Sequence, residues 1–177
     1  ILRWRRRVGI LVMHLGRFLR HAFMHPVKAA KAFPAATLDA IQREVASQEK
    51  THRGEICVVI EAELTTSQLW HDVHSRQRAR ELFASRGVWN TEENNGVLIY
   101  VLLAERRVEI VADRGITARV EAHQWQAICR EIEGFFAAGR FEEGAIAGVR
   151  AVAQLLEKEF PGHGAKRNEL PDRPVMI

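Results

Sequence analysis

The sequence predicts an α/β fold in which a small central mixed sheet, a parallel crossover plus an antiparallel hairpin, is flanked by helices on both faces. Three observations lead there. Residues 55–60, 96–103 and 107–112 are apolar, β-branched runs of strand length. The segments around them repeat their apolar positions every three or four residues, as amphipathic helices do. The second and third runs are separated by Ala104, Glu105 and Arg106 alone, which allows only a hairpin, whereas a helix fits between the first and second.

Residues 2–24 place Trp4, Val8, Leu11, Val12, Leu15, Phe18, Leu19 and Ala22 on one helical face and Arg3, Arg6, Arg17 and Arg20 on the other, and Pro26 ends the pattern. Leu38, Ile41 and Val45 mark a second helix that stops near Gly54. The nearly continuous apolar run at 55–60 suits a strand covered on both sides. Thr66 or Ser67 caps the next helix, which turns Leu69, Val73, Leu82 and Phe83 inward and Arg76, Arg78, Arg80 and Glu81 mostly outward, and Gly87 closes it. After the hairpin, Trp125, Ile128, Ile132, Phe135 and Phe136 define one helix. Ile146, Val149, Val152, Leu156 and Phe160 define another, stopped by Pro161 and Gly162. Residues 1–33 thus read as a basic amphipathic helix with its linker, 34–162 as the α/β body, and 163–177 as an extended C-terminal tail.

The 177 residues are 47% hydrophobic, enough to bury a core in one domain. Residues 1–38 hold eight Lys and Arg and no acid, while the remainder sums to −4, so the net charge of +4 is a basic arm on an acidic body. Such an arm is drawn to polyanionic surfaces. Its apolar run at residues 8–13 falls far short of the ~20 residues of a membrane span, and no small-residue cleavage site follows it. The reading is therefore peripheral association with an anionic membrane surface or membrane protein complex, the cytoplasmic face favoured. Trp4, Leu11, Leu15 and Phe18 would enter the interface while Arg6, Arg17 and Arg20 engage headgroups. Packing of the same face on the body or on a second copy is the competing reading. Nucleic acid is disfavoured, because the aromatics do not interleave with the arginines. Cys57 and Cys129 fall in separate elements and are read as free thiols.

The hairpin turns sequence numbers into contacts. With its turn at Ala104 and Glu105, opposed residues sum to a constant, and Gly96 faces Asp113. The polar loop containing Glu92, Asn94 and Asn95 then meets Asp113, Arg114 and Gly115 at one end of the sheet, and the parallel crossover brings Glu55 to that end too. Carboxylate and amide oxygens suit a hard divalent cation, Ca²⁺ or Mg²⁺, so Asn94, Asn95, Asp113, Glu92 and Glu55 are the candidate ligands. The structural alternative is that the asparagines form turns and Asp113 caps a helix near Ile116. His71 and His74 share a helical face without a third metal ligand, and no nucleophile elbow or P-loop is present.

The segments Asn94-Asn95-Gly96-Val97-Leu98-Ile99-Tyr100 and Arg107-Val108-Glu109-Ile110-Val111-Ala112-Asp113-Arg114-Gly115-Ile116 resemble the central hairpin of TPM domains. Arg78-Ala79-Arg80-Glu81-Leu82-Phe83 upstream, and Trp125, Phe141, Gly144 and Phe160-Pro161 downstream, are also similar. The likeness is to a short bacterial type. It implies association with membrane complexes and divalent-cation binding, with an acid phosphatase activity known in the thylakoid member. Asp113-Arg114-Gly115 stands where many members have a glycine-rich turn. The expectation is an accessory or ligand-binding domain that holds a divalent cation or small anion and associates with a membrane surface or membrane protein complex. The alternatives are a metal-assisted phosphatase at the same rim and a purely structural interaction domain.

Overall fold

A computed structural model of the chain describes residues 15–24, 26–162 and 168–177. The β-branched runs become β1 (Glu55–Glu61), β2 (Gly96–Leu102) and β3 (Arg107–Ala112), and a short β4 (Val175–Met176) completes a sheet ordered β3-β2-β1-β4. β1 and β2 are parallel, β2 and β3 antiparallel, and β4 is parallel to β1. Both central strands are buried at every residue, which is why their sequences lack apolar and polar alternation. The hairpin register is the one the turn arithmetic predicts: Leu102 faces Arg107, Val97 faces Ala112, and the Asp113 N–H donates to the Gly96 carbonyl at 2.9 Å.

Helices cover both faces. Ile56, Val58, Val97 and Ile99 pack with α2 (Pro26–Ala32), α3 (Ala35–Gln48), α7 (Ala122–Ala137) and α8 (Phe141–Glu159). Cys57, Val59, Leu98 and Tyr100 pack with the crossover helices α4 (Thr66–Trp70) and α5 (Ser75–Ser85). A single turn, α6 (Arg114–Thr117), follows β3. Helix α1 runs through the described residues 15–22.

Two local differences from the sequence reading have clear causes. The helix expected after Thr66 is two helices: Thr65, rather than Thr66 or Ser67, caps the first in a box with Gln68, and the left-handed backbone of Asp72 (φ 52°) breaks the run and turns Val73 into the core. The tail is extended, but its described part, residues 168–177, folds back onto the body. Val175 and Met176 pair with Val59 and Ile60, and Leu170 is buried against the α5 side of the sheet.

Candidate functional site

The predicted rim assembles where β1 and β2 begin. Glu55 pairs with Gly96 and Gly96 with Asp113, so the three form one cross-strand row on the α5 face of the sheet. A Cβ built on Gly96 would lie 2.0 Å from the Val88 carbonyl oxygen, so glycine lets that oxygen enter the row between two carboxylate residues. Sequence reasoning missed Val88, and no side-chain signal could have found it, since its contribution is a backbone atom.

Asn95 is 3% exposed. Its N–H donates to Thr91 Oγ1 at 3.0 Å and its side-chain N–H to the Arg53 carbonyl at 2.6 Å, which leaves Oδ1 buried without a hydrogen bond. Asp113 is 7% exposed and caps α6: Oδ1 accepts the Arg114 N–H at 2.6 Å, while Oδ2 is likewise buried and unpaired. Asn94 has a left-handed backbone (φ 54°), and its Oδ1 accepts two hydrogen bonds from the Arg114 guanidinium at 3.0 and 2.9 Å. A Cβ on Gly115 would come within 2.6 Å of the Asn94 carbonyl oxygen, so these two loops close on each other through a glycine. Glu55 is buried, and its carboxylate accepts the Leu170 N–H at 3.3 Å. Glu92 sits exposed on the loop, and its N–H donates to the Glu169 carboxylate. The rim therefore gathers Asn94, Asn95, Asp113 and Glu55, with Glu92 at its outer edge. Among the described residues no group of three or more His, Cys, Asp or Glu is placed to hold a metal. Any ion here would be held largely by neutral oxygens.

Polar groups also gather at the opposite end of the sheet. Tyr100 donates to Glu61 at 2.6 Å, and Arg78 grips the same carboxylate with Nε and Nη2 at about 3 Å. Arg78, expected to face outward, is thus drawn in by a buried acid. On α1, Arg17 donates to Glu105 at 2.6 Å and to Asp72 at 3.0 Å. His21 is 1% exposed, accepts the Leu64 N–H at Nδ1 (3.0 Å) and meets Glu105 through Nε2 (3.0 Å). Burial works to raise the Glu105 pKa, but the hydrogen bonds from His21 and Arg17 outweigh it and hold the carboxyl down at about 2. Of the residues expected to meet a membrane, Arg17 and the half-buried Phe18 turn toward the body, Leu15 and Arg20 are exposed, and Trp4, Arg6 and Leu11 lie outside the described residues. No described helix is long and apolar enough to cross a membrane.

Both thiols are free. Burial pushes Cys57 up to about 11 and Cys129 up to about 12, so they are protonated at neutral pH and poor nucleophiles. His71 and His74 are exposed, His71 bonding the Ser67 carbonyl oxygen and His74 facing Asp72.

Fold and rim define a mixed-sheet α/β domain with an oxygen-lined end. Residues 27–155 match the TPM domain, and the chain belongs to that family. The NMR structure of BA42 from the psychrophilic bacterium Bizionia argentinensis is similar to it, with a TM-score of 0.71 and 29% identity, over 81% of this chain and 94% of that one. The solution structure of the N-terminal domain of a P. gingivalis protein shares the fold, with a TM-score of 0.59 and 23% identity, over 75% and 82% of the two chains. The comparison with curated proteins found no match.

Proposed function

We propose that this TPM-domain protein is a ligand-binding accessory domain that holds a divalent cation, Ca²⁺ or Mg²⁺, at the rim around Asn95 and Asp113 and acts at an anionic membrane surface or membrane protein complex. One observation carries the cation reading: Asn95 Oδ1 and Asp113 Oδ2 are buried acceptors without hydrogen bonds, brought to the same end of the sheet by the hairpin register. A buried unpaired acceptor costs about 1–3 kcal/mol, and more when charged, and a hard cation that takes such an oxygen as a ligand offsets that cost. The Val88 carbonyl adds a neutral oxygen to the row that holds Asp113.

Thermal unfolding with and without Ca²⁺, Mg²⁺ and Mn²⁺ tests this. An ion at about 100 times its dissociation constant adds about 2.7 kcal/mol, or roughly 5–10 °C for a domain of this size. That shift is expected in the natural chain and absent in Asp113→Asn, which keeps the shape and the cap acceptor but loses the charge. Identical melting of the natural chain with every ion would overturn the reading. Turnover of a generic phosphate ester that needs both the ion and Asp113 would instead assign the rim to metal-assisted hydrolysis.

A further inference from the structure

Arg17 and His21 fasten α1 to the body with polar contacts beside the half-buried Phe18, and its other large apolar residues are left facing out. Leu15, Leu19 and Phe23 recur every four residues along the helix and its last turn, 60, 46 and 66% exposed, and Val27 at the start of α2 is 69% exposed. Beside this stripe open two adjoining clefts, of about 510 and 360 Å³, which share Met24, Lys28, Leu103 and Arg106. The first also has Arg20 in its wall and the second Lys31. None of these four cations has an acidic partner among the described residues; Lys28 donates only to the Phe23 carbonyl, at 2.9 Å. The one acid in either wall, Glu105, is already held by Arg17 and His21. Arg106 itself is set at the hairpin turn by a left-handed backbone (φ 50°).

We propose that this end of the domain is a docking face for an acidic phospholipid bilayer. The aliphatic and aromatic stripe enters the interface while Arg20, Lys28, Lys31 and Arg106 meet headgroup phosphates. The inference rests on the membrane reading above and specifies its face. Charge decides the occupant: a second copy related by two-fold symmetry would set these uncompensated cations against their own kind, whereas an anionic surface complements them. Leu15, Leu19, Arg20 and Phe23 lie before the segment that matches the TPM domain, so the face is partly an addition to that domain. It stands at the hairpin-turn end of β2, and the Asn95 and Asp113 rim stands at the other end, about 20 Å away along a seven-residue strand. Docking therefore requires no divalent cation at the rim.

Co-sedimentation of the full chain with vesicles of phosphatidylcholine alone, and of phosphatidylcholine mixed with phosphatidylserine, tests the face. Binding is expected only to the mixed vesicles, unchanged by EDTA. It should weaken at least about tenfold in Lys31→Glu/Arg106→Glu and in Leu19→Ser/Phe23→Ser. All four positions are exposed, and circular dichroism confirms that the variants fold. Natural-strength binding by both double variants would overturn the face while leaving membrane association standing. Equal binding to neutral vesicles, loss of binding in EDTA, or a dimer dissolved by Leu19→Ser/Phe23→Ser without vesicle binding would each overturn it as well. Absence of any binding by the natural chain would remove the membrane reading altogether, and the ion-dependent melting of the Asp113 rim would be unaffected.

Discussion

Gly96 lies between Glu55 and Asp113, and its missing side chain is what admits the Val88 carbonyl oxygen to the row. Any Cβ there meets backbone rather than a side chain able to swing away, so the cost cannot be relieved by a rotamer change. Gly96→Ala should lower stability by about 3 kcal/mol in urea unfolding. Gly134→Ala, in α7 with open space around its Cβ, should instead gain about 0.5–1 kcal/mol from reduced unfolded-state and helix entropy costs. Equal effects at the two positions would contradict the packing account. At this scale Asn95 and Asp113 were legible because hairpin register follows from chain numbering. The capture of Asn94 Oδ1 by Arg114 and the entry of Val88 were not, since both depend on how two loops close in space.

Among the elements, α1 departs most from what its sequence suggests. Helical periodicity puts Leu15, Phe18 and Leu19 on one face and Arg17 and Arg20 on the other, but the structure turns one residue of each, Phe18 and Arg17, to the body and leaves Leu15, Leu19 and Arg20 exposed. The carboxylate of Glu105 decides: an acid at the hairpin turn, beside a backbone N–H of Leu64 that needs an acceptor, selects Arg17 and His21 and turns Leu15 and Leu19 outward. Because the folded Glu105 carboxyl titrates near 2 instead of its ordinary 4.5, its stabilising contribution is fully present above about pH 4.5 and is lost as the pH falls through 2. Allowing for solvent screening of a partly exposed group, that contribution is about 1–2 kcal/mol. Hydrogen exchange at the Leu64 amide should accelerate from pH 5 to pH 2, after correction for intrinsic rates, and Glu105→Gln should flatten that dependence. An equal acid response in both proteins would show that Glu105 does not hold α1.

Across the whole molecule, the return of the C-terminal segment closes the fold. Residues 168–177 cover one edge of β1, bury Leu170 on the α5 side and bring its N–H to the Glu55 carboxylate. Deleting residues 168–177 should cost about 3 kcal/mol, from the exposure of Leu170 and the loss of a hydrogen bond to a buried acid, and should appear as a lower urea midpoint. An unchanged midpoint would mean that the segment only rests on the sheet. The sequence by itself determined the three principal strands, the hairpin register, the helices on both faces and the meeting of the Asn95 loop with Asp113 at one end of the sheet, because periodicity and turn length are local properties of a chain. Only the tertiary structure decided that α1 turns Arg17 and His21 to the body and leaves Leu15 and Leu19 exposed, that Arg78 turns inward to Glu61, and that the tail becomes a strand. Each of these is settled by a partner distant in sequence, Glu105, Glu61 and β1 respectively, whose buried acceptor or open edge must be satisfied once water is excluded.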